Sequence, residues 1–309
     1  MTNAAAGPSL TDNSYHGANE RRAGMLLVFL SALFWSLGGT IARFIETPDS
    51  WTVVFWRSFW ASICIFAFIV LRDGWHGAWR AFRTMGVPGY AVSVCFAIAS
   101  TCFVIALSYT TVANVLLIQA GVPLLAALFG WTFFRERVSG LTWVAIFAVI
   151  IGVGVMVSES IGGEASPIGD GLAMLIACVF ATATVITRHY SHVRMTPATC
   201  LGTALACAFA ATQVSTLHTS AVDAAYLFAF GVINLGLGMV CFAMGARLIA
   251  AAYAALIGCF EPILGPVWVW LIHGEEPSQR ALIGGAIVVA ALLGHVLLQF
   301  RRPGASRQA

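Results

Sequence analysis

Polar residues fill positions 1–20 and end at the pair Arg21–Arg22, after which apolar residues dominate from Gly24 to about Ile45. Nine further apolar runs follow, at about 51–71, 87–109, 112–133, 139–158, 168–188, 197–217, 224–246, 250–272 and 281–300. Each approaches the roughly 20 residues that a helix needs to cross the hydrocarbon core. The polar gaps are shortest between the third and fourth runs and between the eighth and ninth. This pattern predicts an all-α integral membrane protein with ten transmembrane helices. The first run is too long for a signal-peptide core and lacks a small-residue cleavage site, so it is expected to stay as the first helix.

The runs also repeat. A shift of 139 residues aligns Leu117–Ile118 with Leu256–Ile257, Pro123 with Pro262, Leu125 with Leu264, Trp131 with Trp270 and Glu136 with Glu275. Earlier in each half, a shift of 145 aligns Gly24 with Gly169, Ala32 with Ala177, Ile41 with Ile186 and Arg43 with Arg188. Two five-helix units follow, at residues 23–158 and 168–300, flanked by a polar tail over 1–22 and another over 301–309. Five is odd, so the second unit enters the membrane from the opposite side, and the fold is two inverted five-helix repeats. Inverted repeats suit alternating access to a site near the bilayer midplane.

Composition agrees: 60% of residues are hydrophobic and 9% charged, against about 25% charged in soluble domains. Every one of the 16 basic residues is arginine, which removes Schiff-base and phosphate-loop lysine chemistry. The eight cysteines lie inside apolar runs without zinc or redox spacing and are expected to be small buried hydrophobes. A net charge of +3, without arginines interleaved with aromatics, argues against nucleic acid as a partner. With the amino terminus in the cytoplasm, thirteen arginines fall on inside segments and Arg280 alone on an outside connection. That bias places both termini in the cytoplasm and the protein in the cell's inner membrane.

Glu261 is the most informative position. A carboxylate in mid-helix costs about 2.5–3.5 kcal/mol if it faces lipid, so it is expected to face the bundle interior and to be functional. Pro262 beside it removes a backbone donor and favours a hinge, as does Pro123 in the first repeat. Tyr253, Ile257, Glu261, Leu264 and Trp268 recur at helical spacing and are expected to share one face. Tyr253 aligns with Asn114, so both halves place a polar group at one position. With Gln119, Asn234, Trp35 and Ser36, these residues are the candidate lining of a binding cavity, although amides inside spans also bond helix to helix. Arg57, about six residues inside the second helix, is expected to be a structural charge paired with a carboxylate, with attraction of an anionic substrate as the alternative. Arg43 and Arg188 sit at matched helix ends as interfacial anchors. Gly38–Gly39, Gly236–x–Gly238 and Gly284–Gly285 are expected at close helix contacts or hinges. His189 and His192 lack a third ligand, so no metal is expected, and nothing implies a cofactor.

Several of these residues resemble the drug/metabolite transporter superfamily, in its EamA branch with ten helices and two EamA repeats. The resemblance lies in Pro123 to Trp131 followed by Arg135–Glu136–Arg137–Val138–Ser139, and in Glu261–Pro262 followed by Gly274–Glu275–Glu276–Pro277 and Gly285. Trp35–Ser36–Leu37–Gly38 and Arg57 are also similar, whereas the first repeat has Ile146 where the second has Gly285. The resemblance covers Gly24 to Phe300 and implies a site between helices 1, 3, 4, 6, 8 and 9. The function it implies is secondary transport of small polar metabolites, amino acids or related compounds, outward by alternating access, with proton coupling through Glu261 as a hypothesis. An uptake carrier for organic anions, amines or nucleosides is one rival, and a non-transporting membrane assembly partner another. No nucleophile–base pair, HExxH or GxSxG stands in a span, so an enzyme is not expected. The expected partners are a small-molecule substrate, protons and lipid, with the chain a monomer or homodimer.

Overall fold

The structure, a computed structural model, describes residues 10–136, 138–161, 166–249 and 251–300. Of the features above, positions 1–9, Arg137 and the tail 301–309 lie outside the described residues. Among the described residues every regular element is helical: α1 (Leu10–Ser36), α2 (Gly38–Arg43), α3 (Ser50–Thr84), α4 (Gly86–Ala106), α5 (Val112–Gln119), α6 (Val122–Phe134) and α7 (Gly140–Ile161) in the first half. The second half comprises α8 (Pro167–His189), α9 (Thr196–Gln213), α10 (Ala221–Ala229), a π-helical stretch (Phe230–Leu237) leading into α11 (Gly238–Gly245), α12 (Ala251–Gly258), α13 (Glu261–His273) and α14 (Gln279–Phe300).

Eight helical stretches are long and apolar enough to cross a membrane, and the pair α5 and α6, bent by 41°, makes a ninth if counted as one span. The expected tenth, over 197–217, is shorter. It stops at Gln213, and its threonines and terminal glutamine leave it less apolar than the others. The α9 helix instead packs through small residues against α3 and α4. A Cβ on Gly202 would stand 2.7 Å from the Ser93 carbonyl, so only glycine permits that approach.

The two halves match in their breaks and in their neighbours. The fourth expected span is split into α5 and α6, and the ninth into α12 and α13; a shift of 139 residues carries the first pair of helices onto the second, end for end. In each pair the proline, Pro123 or Pro262, lies in the first turn of the second half-helix, where its missing donor costs least. Exchanging each helix for its repeat mate also preserves the packing. The α4 helix lies on α8 and α9 as α11 and the π stretch lie on α1 and α3, and α6 lies on α8 as α13 lies on α1. Two helices, α3 and α7, pack on their own mates α9 and α14, and α5 of the fourth span packs on α13 of the ninth. That is the packing of a pseudo-two-fold axis between inverted units.

Two boundaries differ from expectation. The second helix does not stop near residue 71: at Gly74 the backbone turns through φ 70° and residues 75–84 continue as a separate helix. The first helix starts at Leu10, inside the segment expected to be a tail.

Hydrocarbon gives helices no hydrophobic reason to associate, so close packing through small residues supplies much of the affinity. At the α7–α14 crossing a Cβ on Gly152 would sit 2.7 Å from the Gly284 carbonyl. The glycine signals at 38–39, 236, 238 and 284–285 all mark such approaches, against Asn234, Val112, Cys64, Trp35, Met156 and Leu117. Ile146, at the place of Gly285, is instead buried against Val149 and Val288, so the two halves fill this layer differently. Gly152→Leu is predicted to lower stability by about 1–3 kcal/mol through overpacking. Gly154→Ala, facing open space, is predicted to leave the melting temperature unchanged, so thermal denaturation of the two variants in detergent checks the crossing.

Candidate functional site

The centre of the bundle is built around a break in the first span. Helix α1 ends at Ser36 and α2 begins at Gly38, with Leu37 between them. The carbonyls of Phe34 and Trp35 both accept from the Asn234 side-chain amide, at 2.8 and 3.0 Å, and the Phe34 carbonyl accepts from the Leu37 amide as well, at 3.3 Å. Asn234 is buried and lies in the π-helical stretch, a widened turn of the kind found at functional sites. Gly38 makes the approach possible, since a Cβ there would lie 2.8 Å from the Asn234 amide nitrogen.

Helix α13 closes the other side. The Trp268 indole donates to the Ser36 hydroxyl at 3.1 Å, and that hydroxyl donates to the Leu33 carbonyl at 2.8 Å. A Cβ on Gly265, one turn before Trp268, would collide with Leu116 of α5 and stand 3.5 Å from the Ser36 carbonyl. His273 Nε2 lies 3.1 Å from the Thr40 carbonyl of α2. The Trp35 ring is 5.4 Å from Phe242. The structure thus brings Trp35, Ser36, Asn234 and Trp268 together where the first, fourth, eighth and ninth spans meet.

Glu261 opens α13 beside the break, in the first turn, where the helix dipole favours a negative charge. It is half-buried, and no hydrogen bond or ion pair engages its carboxylate among the described residues. Gln119, the last residue of α5 at the matching break, has a buried amide nitrogen without a partner there. The two broken spans therefore each hold an uncommitted polar group at mid-depth.

Asn114 and Tyr253 lie elsewhere. Asn114, near the start of α5, donates to Asp170 Oδ1 and Thr110 Oγ1, each at 3.3 Å. Tyr253 lies near the start of α12, under the Arg21 guanidinium at 4.5 Å. The junction of α12 and α13 at Cys259–Phe260 lies between Tyr253 and Glu261, within one span over Tyr253–His273. Repeat symmetry sends the two residues to opposite ends of the bundle. Asp170 carried no sequence signal beyond being a carboxylate near the start of an apolar run.

Arg57 is buried, yet no carboxylate pairs with it among the described residues, contrary to the expectation of a structural ion pair. Its Nη1 donates to the Ser100 carbonyl at 3.3 Å and hydroxyl at 3.1 Å. Its guanidinium lies over Phe230 at 4.4 Å and Phe103 at 5.3 Å. Ring faces stabilise a desolvated cation by about 2 kcal/mol, so aromatic walls take the place of the missing carboxylate.

Arg43 and Arg188 do more than anchor. Arg43 Nε meets Glu275 at 2.7 Å, and Arg188 Nη2 meets Glu136 at 2.7 Å. Both the arginines and the glutamates are repeat mates, so one ion pair appears twice, once at each end. The Arg43 pair is the more committed. Its arginine also donates to the Leu107 and Thr110 carbonyls at 2.9 and 3.2 Å, and Glu275 accepts from the Val112 amide at 2.8 Å. Among the described residues nothing comparable ties Arg188 or Glu136 to the α11–α12 corner. His189, expected not to bind metal, stacks on Phe134 at 4.3 Å.

The model of the EamA-like transporter family matches this chain twice, over residues 22–158 and 167–297. The chain belongs to that family. The EamA chain is 22% identical over 279 residues to the pseudopaline exporter CntI of Pseudomonas aeruginosa, covering 88% of this chain and 95% of that one. An uncharacterized transporter of Clostridium kluyveri is 23% identical over 181 residues, covering 55% of this chain and 57% of the other. A crystal structure with 18% identity shares the fold at a TM-score of 0.64, covering 91% of this chain and 99% of its own. Membership makes this a multi-pass membrane transporter protein of two EamA repeats.

Asn234→Leu is predicted to destabilise this EamA protein by about 1–3 kcal/mol, because it removes the Asn234 donor from the Trp35 carbonyl and leaves the Phe34 carbonyl only its 3.3 Å bond from the Leu37 amide. Ser36→Ala, which removes one interhelical bond, is predicted to cost about 0.6 kcal/mol. Unfolding measured in one detergent checks the ranking.

Proposed function

We propose that the chain exports small polar metabolites, amino acids or related compounds, from the cytoplasm by alternating access around the Ser36–Asn234–Trp268 centre. The observation that carries this reading is the doubled ion pair. Each pair joins the end of one repeat's first span to the loop after the other repeat's fourth span, and the two stand at opposite ends of the molecule. A carrier needs such closures at both ends, used alternately.

The unequal commitment of the two pairs supports a resting state closed at the Arg43 end. A half-exposed ion pair alone contributes about 0–1 kcal/mol, too little to hold a gate shut. Hydrogen bonds to a charged group contribute about 1.5–3 kcal/mol each where they are buried. The three additional bonds around Arg43 and Glu275 therefore decide the bias, even discounted for partial exposure. The arginine excess at the other end supports placing that end in the cytoplasm. Both pairs are formed in the state described, so the bias is a difference in strength between two closed ends.

The chemistry of the centre favours a substrate with an amine. Glu261 has no cationic partner among the described residues, so an ammonium group or a proton can satisfy it in turn. The Gln119 amide nitrogen at the matching break, without a partner among the described residues, is a further group for orienting a small polar solute. The outward direction draws on the name of the Pseudomonas relative.

Two experiments test the proposal. Arg43→Glu and Glu275→Arg are each predicted to reduce flux in proteoliposomes at least tenfold, and the double exchange to recover a substantial part of it; no recovery would remove the ion pair from the cycle. Glu261→Gln is predicted to abolish the pH dependence of amino-acid flux while leaving the melting temperature within a few degrees. Unchanged pH dependence would assign proton coupling to another group.

A further inference from the structure

The end of the molecule bearing Arg188 carries a second site, unrelated to the central one. After the turn at Gly74 the helix over residues 75–84 leaves the direction of the span. Its tryptophans project outward, with Trp75 67% and Trp79 61% exposed. Tryptophans on a short helix beside a span belong at the level of the lipid headgroups. The same helix carries Arg80, and the connection from α8 to α9 brings His192 and Arg194 against it. Between them lies a cavity of about 450 Å³, lined by Asp73, Arg80, Thr84, His192 and Arg194 among others.

The charges in this cavity do not cancel. Asp73 is already held by Arg72 at 3.1 Å and by Arg194 at 3.0 Å. Two guanidinium groups thus share one carboxylate. Arg80 adds a third, and no hydrogen bond, ion pair or ring engages it among the described residues. A concave site with surplus positive charge and a hydroxyl at its edge, level with the headgroups, suits a phosphoryl group. The flanking tryptophans select a membrane lipid over a dissolved anion.

We propose that the cavity between the 75–84 helix and the α8–α9 connection binds the phosphoryl headgroup of an anionic phospholipid. Arg80 makes the direct contact, and Arg194, oriented by Asp73, and His192 complete the pocket. This inference rests on the membrane fold and not on the transport reading.

The test measures bound lipid on full-length protein extracted in mild detergent. The delipidated protein is offered equal amounts of phosphatidylglycerol and phosphatidylcholine, and retained lipid is counted by native mass spectrometry. Wild type is expected to retain phosphatidylglycerol preferentially. Arg80→Gln is expected to reduce that preference about fivefold, the effect of one basic residue at a membrane surface. Arg83→Gln is the control, because Arg83 lies over Trp79 at 5.1 Å and does not line the cavity. It is expected to retain the wild-type preference within about twofold. Equal losses in both variants, or no loss in Arg80→Gln, would overturn the proposal. So would inorganic phosphate that raises the melting temperature as much as phosphatidylglycerol does, since that result would identify a soluble anion site.

Discussion

A backbone carbonyl left without a donor in hydrocarbon costs several kcal/mol, so a helix can be interrupted at mid-membrane only where protein supplies the missing donor. In this chain the Asn234 amide does so for Trp35, and it gives the Phe34 carbonyl a second donor beside the Leu37 amide at 3.3 Å. The other central features depend on that one side chain. With these carbonyls satisfied the first span can break at Leu37, the break lets α13 press Gly265 against Ser36, and that approach brings the Trp268 indole to the Ser36 hydroxyl. The π-helical turn that aims Asn234 inward and the glycine that admits it, Gly38, belong to the same arrangement.

Inversion then doubles what one repeat makes. Breaks at Ala120–Gly121 and Cys259–Phe260 put half-helix ends at matching depth, and uncommitted polar groups, Gln119 and Glu261, lie beside them. Ion pairs at Arg43–Glu275 and Arg188–Glu136 stand at opposite ends of the molecule. Identical halves would have to hold both ends alike. Among the described residues, the extra bonds at the Arg43 end make the two matched pairs unequal.

Much of this was legible in the residues. Periodic apolar runs, a matched proline, tryptophan and glutamate, and the arginine bias indicate an inverted membrane fold, and the prolines mark both breaks. The alignment contained both members of each terminal ion pair, but pairing them required knowing that the end of α8 lies beside the end of α6. The 75–84 helix stayed hidden because its boundary is a single glycine at φ 70°, not a polar gap. The aromatic enclosure of Arg57 was equally out of reach: Phe103 and Phe230 are ordinary apolar residues until packing sets them beside a guanidinium. Asn114 and Tyr253 teach the opposite lesson. Equivalence between inverted repeats means opposite ends of the molecule, not one shared cavity.

The central claim is that the two ends of the molecule open in alternation. Spin-label distances measured by double electron–electron resonance, between positions 109 and 276 at one end and between positions 135 and 248 at the other, test it directly in a cysteine-free protein. The account predicts that a transported substrate, or its gradient, lengthens one distance as it shortens the other. Distances that change together, or that stay fixed while flux proceeds, would contradict it.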